Sequence, residues 1–385
     1  MQFPGFSPAE IDSAGAHWTA REIAQQPEIW GQLVALAGQD SPVACYLAPL
    51  LRDPTLRIVL TGAGSSDFVG QCLAPAITRQ LQRAVAAVAT TDLVAGPAGW
   101  LTGDAPTLLV SFARSGNSPE SVAALQLTQG LVRDCHHLVI TCNAQGALCE
   151  IAGDMDNAHV LLLPEACNDK SLAMTSSFSS MLLAAALAFG IVSDRDVTLA
   201  SAGAQHVLDF ALPLVRHIVR TGFERVIYLG ANERKGLARE SALKLLELTD
   251  GRVVSLADTP LGFRHGPKTI VKQNTLVVVF LSRDPYGRRY DLDLLRELRN
   301  DGAAGRVLCV AAEGDIEPGN PDNFTIPGLA GAGAMAAALP CLVFAQFLAL
   351  LQSLALGITP DNPSPSGAVN RVVKGVTIYP LEQAG

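Results

Sequence analysis

Two strand-like runs recur at a fixed interval in this 385-residue chain, and that interval restricts the fold more than any other feature. Arg57 opens the run in "LRIVL" and Arg225 the run in "ERVIYL", 168 residues apart (225 − 57). Thr107 of "TLLVSF" and Thr275 of "TLVVVF" keep the same separation (275 − 107). Equal offsets at two separated strands mark a duplicated unit. The first half holds five such runs, "LRIVLTGAG", "AVAAVATTD", "TLLVSFARS", "HLVITCN" and "HVLLLP". The second answers in the same order with "ERVIYLGAN", "GRVVSLADT", "TLVVVFLSR", "RVLCVAA" and "NFTIP". Strands alternating with helical stretches predict an α/β fold of two tandem units, each a doubly wound parallel sheet of five strands flanked by helices. Ligand sites are then expected at the carboxyl ends of strands.

The units are expected over residues 51–200 and 201–357. A helical segment over 1–50, including "HWTAREIAQQPEIW", precedes them. Residues 358–385, with the Pro/Ser/Gly-rich "TPDNPSPSGAVNRVVKGVTIYP", read as an extended lid or clamp. A chain with 49% hydrophobic and only 17% charged residues has enough apolar material for so large an interior. Acidic residues outnumber basic ones, 36 to 28, and no Lys/Arg-rich run is present to follow a nucleic-acid backbone. Nucleic acid is therefore not an expected partner. The eight cysteines form no CxxC pair and several sit in apolar runs, as reduced core residues do. The N-terminal "MQFPGFSPAEIDSAG" lacks the basic start and apolar run of a secretory signal, so a cytoplasmic address is expected. Residues 323–360 carry no charge and include "AMAAALPCLVFAQFLALLQSLALG", long enough to cross a bilayer. Pro340, Gln346 and Gln352 interrupt it, and Asp322 and Asp361 rather than Lys or Arg flank it, so a helix buried in the core or a subunit interface is expected instead.

Two strands of the first half run into small, hydroxyl-bearing turns that open helices, "TGAGSSDF" and "ARSGNSPES". Such a turn offers free backbone N–H groups and the positive end of a helix dipole to an anion, and phosphate is the natural guest. Either turn alone is also explained by Gly and Ser as turn formers and N-caps. Together they let Ser65, Ser66, Ser115 and Ser118 converge on one phosphate across the switch point of the sheet. A dinucleotide fingerprint fails where Asp67 replaces the third glycine of GxGxxG, and Asp92 has the ordinary role of a turn residue open to it.

The equivalent turn of the second half, "GANERKGLARESALKLLELTDG", has lost its small hydroxyls and gained a charged stripe. Glu240, Lys244 and Glu247 follow i, i+4, i+7 and share one face of a helix. An exposed helix carries such pairs for a few tenths of a kcal/mol. Here the stripe lies just beyond a strand end and precedes "DTPLGFRHGPKTIV", a Gly/Pro-framed loop presenting His265. The other histidines (17, 136, 137, 159, 206 and 217) show no metal-ligand spacing, whereas the loop around His265 fixes an imidazole, the side-chain type most used for acid–base work.

The combination of "GAGSS", "SFARSGNSPES", "ESALKLLEL", "FRHGP" and "NRVVKGVTI" resembles the sugar isomerase (SIS) family, and more distantly the isomerase half of glucosamine-6-phosphate synthase. "LTGAGSS", "TTDLV", "SGNSPESVAA", "AMTSS", "YDLDLL" and "EIAQQP" narrow it to the AgaS type of galactosamine-6-phosphate deaminase/isomerase. The resemblance implies a hexosamine 6-phosphate held through its phosphate by Ser66, Ser115 and Ser118. Arg114 stands where the synthase has a neutral amide, its role open between phosphate contact and structural pairing. It further implies Glu247 as the base that shuttles a proton between C1 and C2, Lys244 as stabiliser of the enediol-like charge and Glu240 as its assistant. His265 would open the sugar ring, reaching into a neighbouring subunit, and Lys374 would close over the substrate. No cofactor and no metal are expected, and the chain is expected to form a homo-oligomer, a dimer or higher. No glutaminase domain or N-terminal catalytic cysteine precedes the SIS portion, so the reaction is expected to run toward ammonia release. A plain aldose/ketose isomerase and a non-catalytic sugar-phosphate sensor are the alternatives. Sugar-binding transcriptional regulators with SIS domains attach a basic helix-turn-helix module, and the N-terminal region here reads as too short and too acidic for one.

Overall fold

All ten runs form strands in the computed structural model, which describes residues 3–367, 369–373 and 375–381. The first sheet contains β1 (Arg57–Gly62), β2 (Val85–Ala89), β3 (Thr107–Ala113), β4 (Cys135–Thr141) and β5 (Ala158–Leu162), in the order β2-β1-β3-β4-β5. The second contains β6 (Arg225–Leu229), β7 (Val254–Asp258), β8 (Thr275–Phe280), β9 (Arg306–Ala312) and β10 (Asn323–Ile326), in the order β10-β9-β8-β6-β7. Every pairing is parallel, and the second order repeats the first. The repeat anchors are register partners: Arg57 lies opposite Thr107, and Arg225 opposite Thr275. A one-residue slip would turn every side chain to the wrong face, so an equal offset at both strands is what a conserved register requires.

Alternation along each strand divides the side chains between two layers. Val226 and Tyr228 of β6 enter the large core shared by both units, while Ile227 and Leu229 pack beneath the helix Pro285–Asp301. At the centre of the shared core lies the helix Leu339–Ala355, with every residue from 339 to 353 buried. The uncharged segment is therefore an interior helix, 94% of its most apolar window being covered by protein. Its Gln346 accepts a hydrogen bond from Gln26 at 2.7 Å, which satisfies two amides that burial would otherwise penalise. Gln26 belongs to the N-terminal segment, which folds as four helices (Pro8–Ser13, His17–Ala24, Gln26–Ala37 and Pro42–Leu51) around the fully buried Trp30. All eight cysteines are free. Six are buried as expected, but Cys45 is exposed and Cys149 half-buried, since their helices turn those positions outward.

The two units meet through their first helices, Ser65–Leu81 and Glu233–Leu248. Each begins from a residue of nearly identical backbone geometry, Gly64 (φ 57°, ψ −124°) and Asn232 (φ 53°, ψ −124°). The helices run antiparallel, and Arg239 donates to Gln71 Oε1 at 2.8 Å. These two residues are themselves 168 apart, so a local two-fold axis passes between them. Backbone touches backbone beside it: a Cβ on Gly236 would stand 2.7 Å from Phe68 O and Cys72 N. Alanine gains about 1 kcal/mol over glycine within a helix, but overpacking costs about 1–3 kcal/mol. Gly236→Ala is therefore expected to be net destabilising in urea denaturation, against the propensity trend.

The described residues beyond Ala355 form neither helix nor strand. Their root is fixed by Asp361, whose carboxylate accepts from the backbone N–H groups of Trp18 (3.0 Å) and Thr19 (2.7 Å) at the start of the His17–Ala24 helix.

Candidate active site

Ser65 and Ser66 occupy the first turn of the helix after β1, both buried. Ser115 and Ser118 lie half-buried in the turn after β3, where Gly116 takes the left-handed conformation (φ 67°) and Ser118 begins the helix Pro119–Leu131. Because β1 and β3 are neighbours while their following helices diverge, both serine pairs sit at the switch point of one sheet. The Ser115 hydroxyl accepts from Asn117 N at 3.3 Å, and the Ser118 hydroxyl donates to Glu120 at 2.6 Å.

On the facing helix the charged stripe is buried, not solvated. Glu240 and Lys244 have no exposed side-chain surface, and that of Glu247 is 22% exposed. The Lys244 ammonium lies 3.5 Å from Glu240 Oε1 and donates a hydrogen bond to Glu247 Oε2. Burial pushes the Glu240 carboxyl up to about 7, and Lys244 and the nearby Ser65 hydroxyl only partly oppose it. The carboxyl oxygens of Glu240 meet no hydrogen-bond partner of good geometry, so Ser65 and Lys244 act on it through proximity. Burial also works against the Lys244 ammonium, but the charges of Glu240 and Glu247 outweigh it and the pKa is raised. Taking such charges out of water costs several kcal/mol per ion, far more than the few tenths that a surface pair returns. A helix stabilised by solvent-exposed ion pairs does not explain this row.

The two-fold axis relates the row to the serine turn. The counterparts of Glu247 and Ser65, one repeat away, are Arg79 and Glu233, and these form an ion pair of 2.6 Å. Ser65 lies beside Glu240, which sets the start of the row against the N-terminal turn of the upstream helix. Arg114, at the end of β3, lies close enough to shift Lys244 and to be shifted by Glu247, which ties the β3 turn to the same place.

His265 sits apart. Its backbone is fixed by Gly262 O and its neighbours Arg264 and Lys268 bind Asp293, Glu297 and Asp301 of the Pro285–Asp301 helix. The exposed ring itself makes no hydrogen bond, ion pair or ring contact with any described residue. Within one chain the structure does not bring it to the Glu240–Lys244–Glu247 row. Lys374 lies outside the described residues.

Sequence reasoning missed the loop "NDKSLAMTSS" as a structured part of this region. Asp169, wholly buried, accepts from Thr175 N (2.7 Å), Ser177 N (2.9 Å) and the hydroxyls of Ser176 and Ser177. An Asp six to eight residues before a Thr-Ser-Ser helix start was the available signal. Glu22, from the N-terminal segment, accepts from Lys170 N and from Ser171 N and Oγ. Burial, followed by the neighbouring Asp169, raises the Glu22 carboxyl to about 7.

Residues 50–190 match the SIS domain model. D-galactosamine-6-phosphate deaminase AgaS of Shewanella sp. strain ANA-3 is 43% identical over 378 residues, 97% of this chain and 95% of that one. The chain belongs to the AgaS family of SIS-domain proteins. An AgaS protein of Streptomyces coelicolor is 48% identical over 382 residues, 98% of each chain. Among solved structures, tagatose-6-phosphate ketose/aldose isomerase from Escherichia coli is 41% identical, with a TM-score of 0.84 over 94% of this chain and 96% of that chain. The AgaS relatives thus align with both units and with the segments before and after them.

Proposed function

We propose that this chain is an isomerising deaminase that converts galactosamine 6-phosphate to tagatose 6-phosphate and ammonia. One observation carries the reading: a buried lysine held between two carboxylates, one of them ionisable near neutrality, on a helix that faces the serine turns of the other unit. The serine turns of the first unit, Ser65–Ser66 and Ser115–Ser118, hold the phosphate through helix N-termini and hydroxyls. With the sugar open, Glu247 removes the C2 proton and returns it to C1. Lys244 stabilises the negative charge that develops on O1 meanwhile. The amine-bearing C2 becomes an imine. Water adds to it and ammonia leaves, giving the ketose. Glu240, protonated for part of the time at neutral pH, holds Lys244 in line without locking it in a full ion pair. His265 opens the ring in the site of a neighbouring copy, which accounts for an imidazole without contacts in its own chain, and Lys374 closes the tail. The reading includes a homo-oligomer with shared sites and a cytoplasmic address.

An ammonia-release assay over galactosamine, glucosamine and their N-acetylated 6-phosphates tests it. Ammonia and tagatose 6-phosphate are expected one to one from galactosamine 6-phosphate. Release from none of them, with interconversion of unaminated hexose 6-phosphates, would instead support an isomerase, the activity for which the E. coli structure is named.

A further inference from the structure

Arg114 directly precedes the Ser115–Ser118 turn, where a phosphate-binding arginine would be looked for. Its donors point elsewhere. Nη1 donates to Leu172 O at 3.0 Å and more weakly to Ser171 O at 3.4 Å, and Nη2 donates to Arg371 O at 2.6 Å. All three acceptors are backbone carbonyls. Two belong to the loop that Glu22 and Asp169 hold, and one to the tail. Arg371 in turn donates from Nε to Asp169 O at 2.9 Å and from Nη2 to Asn168 Oδ1 at 2.8 Å. Past the half-buried Val372 the described tail is exposed, with Val373, Val376, Ile378, Tyr379 and Leu381 open to solvent. The Arg114–Arg371 clasp is therefore the last point at which the described tail is hydrogen-bonded to the body.

The arrangement is costly, which argues that it is retained for a purpose. Burial lowers the pKa of the Arg114 guanidinium, and the adjacent Arg371 lowers it further, against Asp169 and Glu247. Two like charges side by side persist because the loop carbonyls are already in place: the Asp169 and Glu22 carboxylates order the loop through its own N–H and hydroxyl groups. The geometry points to Arg114 as a positioning residue that fastens the C-terminal tail to the phosphate turn, and not as a phosphate ligand. This rests on the reading of the serine turns as the phosphate site and extends it to the control of the tail.

Trypsin reads the clasp directly, because cleavage after Arg371 requires its guanidinium to leave Asn168 and Asp169. A tail held only part of the time is cut in proportion to its open fraction. In Arg114→Gln, cleavage at Arg371 is expected to accelerate tenfold or more, with the Kd for inorganic phosphate within about twofold of wild type. Arg114→Lys, which keeps the charge but loses the fork, should behave the same way. Asn168→Ala, which removes an acceptor of Arg371 and lies off the serine turns, should also accelerate cleavage, while resistance elsewhere in the chain reports that the fold is intact. The assignment is overturned if Arg114→Gln weakens phosphate binding tenfold with cleavage unchanged, if Arg114→Lys restores wild-type resistance, or if no variant alters cleavage. Both readouts work without turnover, so failure of the deaminase reading would leave this result standing or falling on its own.

Discussion

Glu247→Gln is expected to lower kcat about 10²- to 10⁴-fold, the range that a positioned general base contributes, while binding of inorganic phosphate stays at the wild-type level. The amide keeps the shape of the carboxylate and can still accept from Lys244 through its oxygen, so the hydrogen bond that orients the lysine survives. Only the ability to take a proton is lost. Lys244 keeps Glu240 as a partner at 3.5 Å, so the stability loss is expected to be smaller than that of removing the lysine, and the serine turns, which belong to the other unit, capture phosphate without the Glu247 charge. Steady-state kinetics on galactosamine 6-phosphate together with phosphate titration separate the two effects. Unchanged turnover would remove Glu247 from the chemistry and with it the proposed proton path.

Lys244→Met should be the most damaging change to stability. The ammonium is the only cation in ion-pair contact with either Glu240 or Glu247 among the described residues. Removing one partner of a buried pair typically costs about 3–5 kcal/mol, because the remaining charge is left uncompensated. The loss has a defined pH dependence. Glu240 titrates at about 7 in the folded protein, above the ordinary 4.5 of an unfolded glutamate. Between those values the folded state holds a proton that the unfolded state has released, so this group's contribution falls as pH rises through that window. Lys244 lowers the Glu240 pKa, so deleting it moves the upper end of the window higher. The variant is expected to lose most stability near pH 8 and to regain part of it near pH 5, where Glu240 is protonated with or without the lysine. Adding Glu240→Gln should recover stability at pH 8 without recovering turnover. Chemical denaturation of both variants at the two pH values checks this. A loss of equal size at pH 5 and pH 8 would show that Glu240 is not the group left stranded.

Much of the architecture was legible because the strands obey a local rule. β3 and β8 are buried along their whole length and read as continuous apolar runs, and the Arg57–Thr107 register reappears as Arg225–Thr275. The row Glu240–Lys244–Glu247 was legible as a helix face, since i, i+4 spacing is a property of the helix itself. Its burial was not, because that depends on Ser65–Leu81 lying across it, a contact 168 residues away in sequence. Glu22 was invisible for the same reason: its partners, the backbone N–H groups of Lys170 and Ser171 and the Ser171 hydroxyl, lie 148 and 149 residues away in sequence. The role of Arg114 could not be decided from spacing either, because its partners are three carbonyl oxygens that any residue would supply.

The local axis between Gln71 and Arg239 relates two opposed sets of positions, and their occupants differ. In one, Glu240 has Ser65 beside it and Lys244 and Glu247 further along the same face. In the other, the matching positions are Cys72, Ala76 and Arg79, and Arg79 is bound to Glu233. The second set thus carries an ion pair of its own, with Glu233 standing where the first has Ser65. Duplication here yielded one workshop and one rivet, so each chain should titrate with a single equivalent of sugar phosphate despite carrying the fold twice.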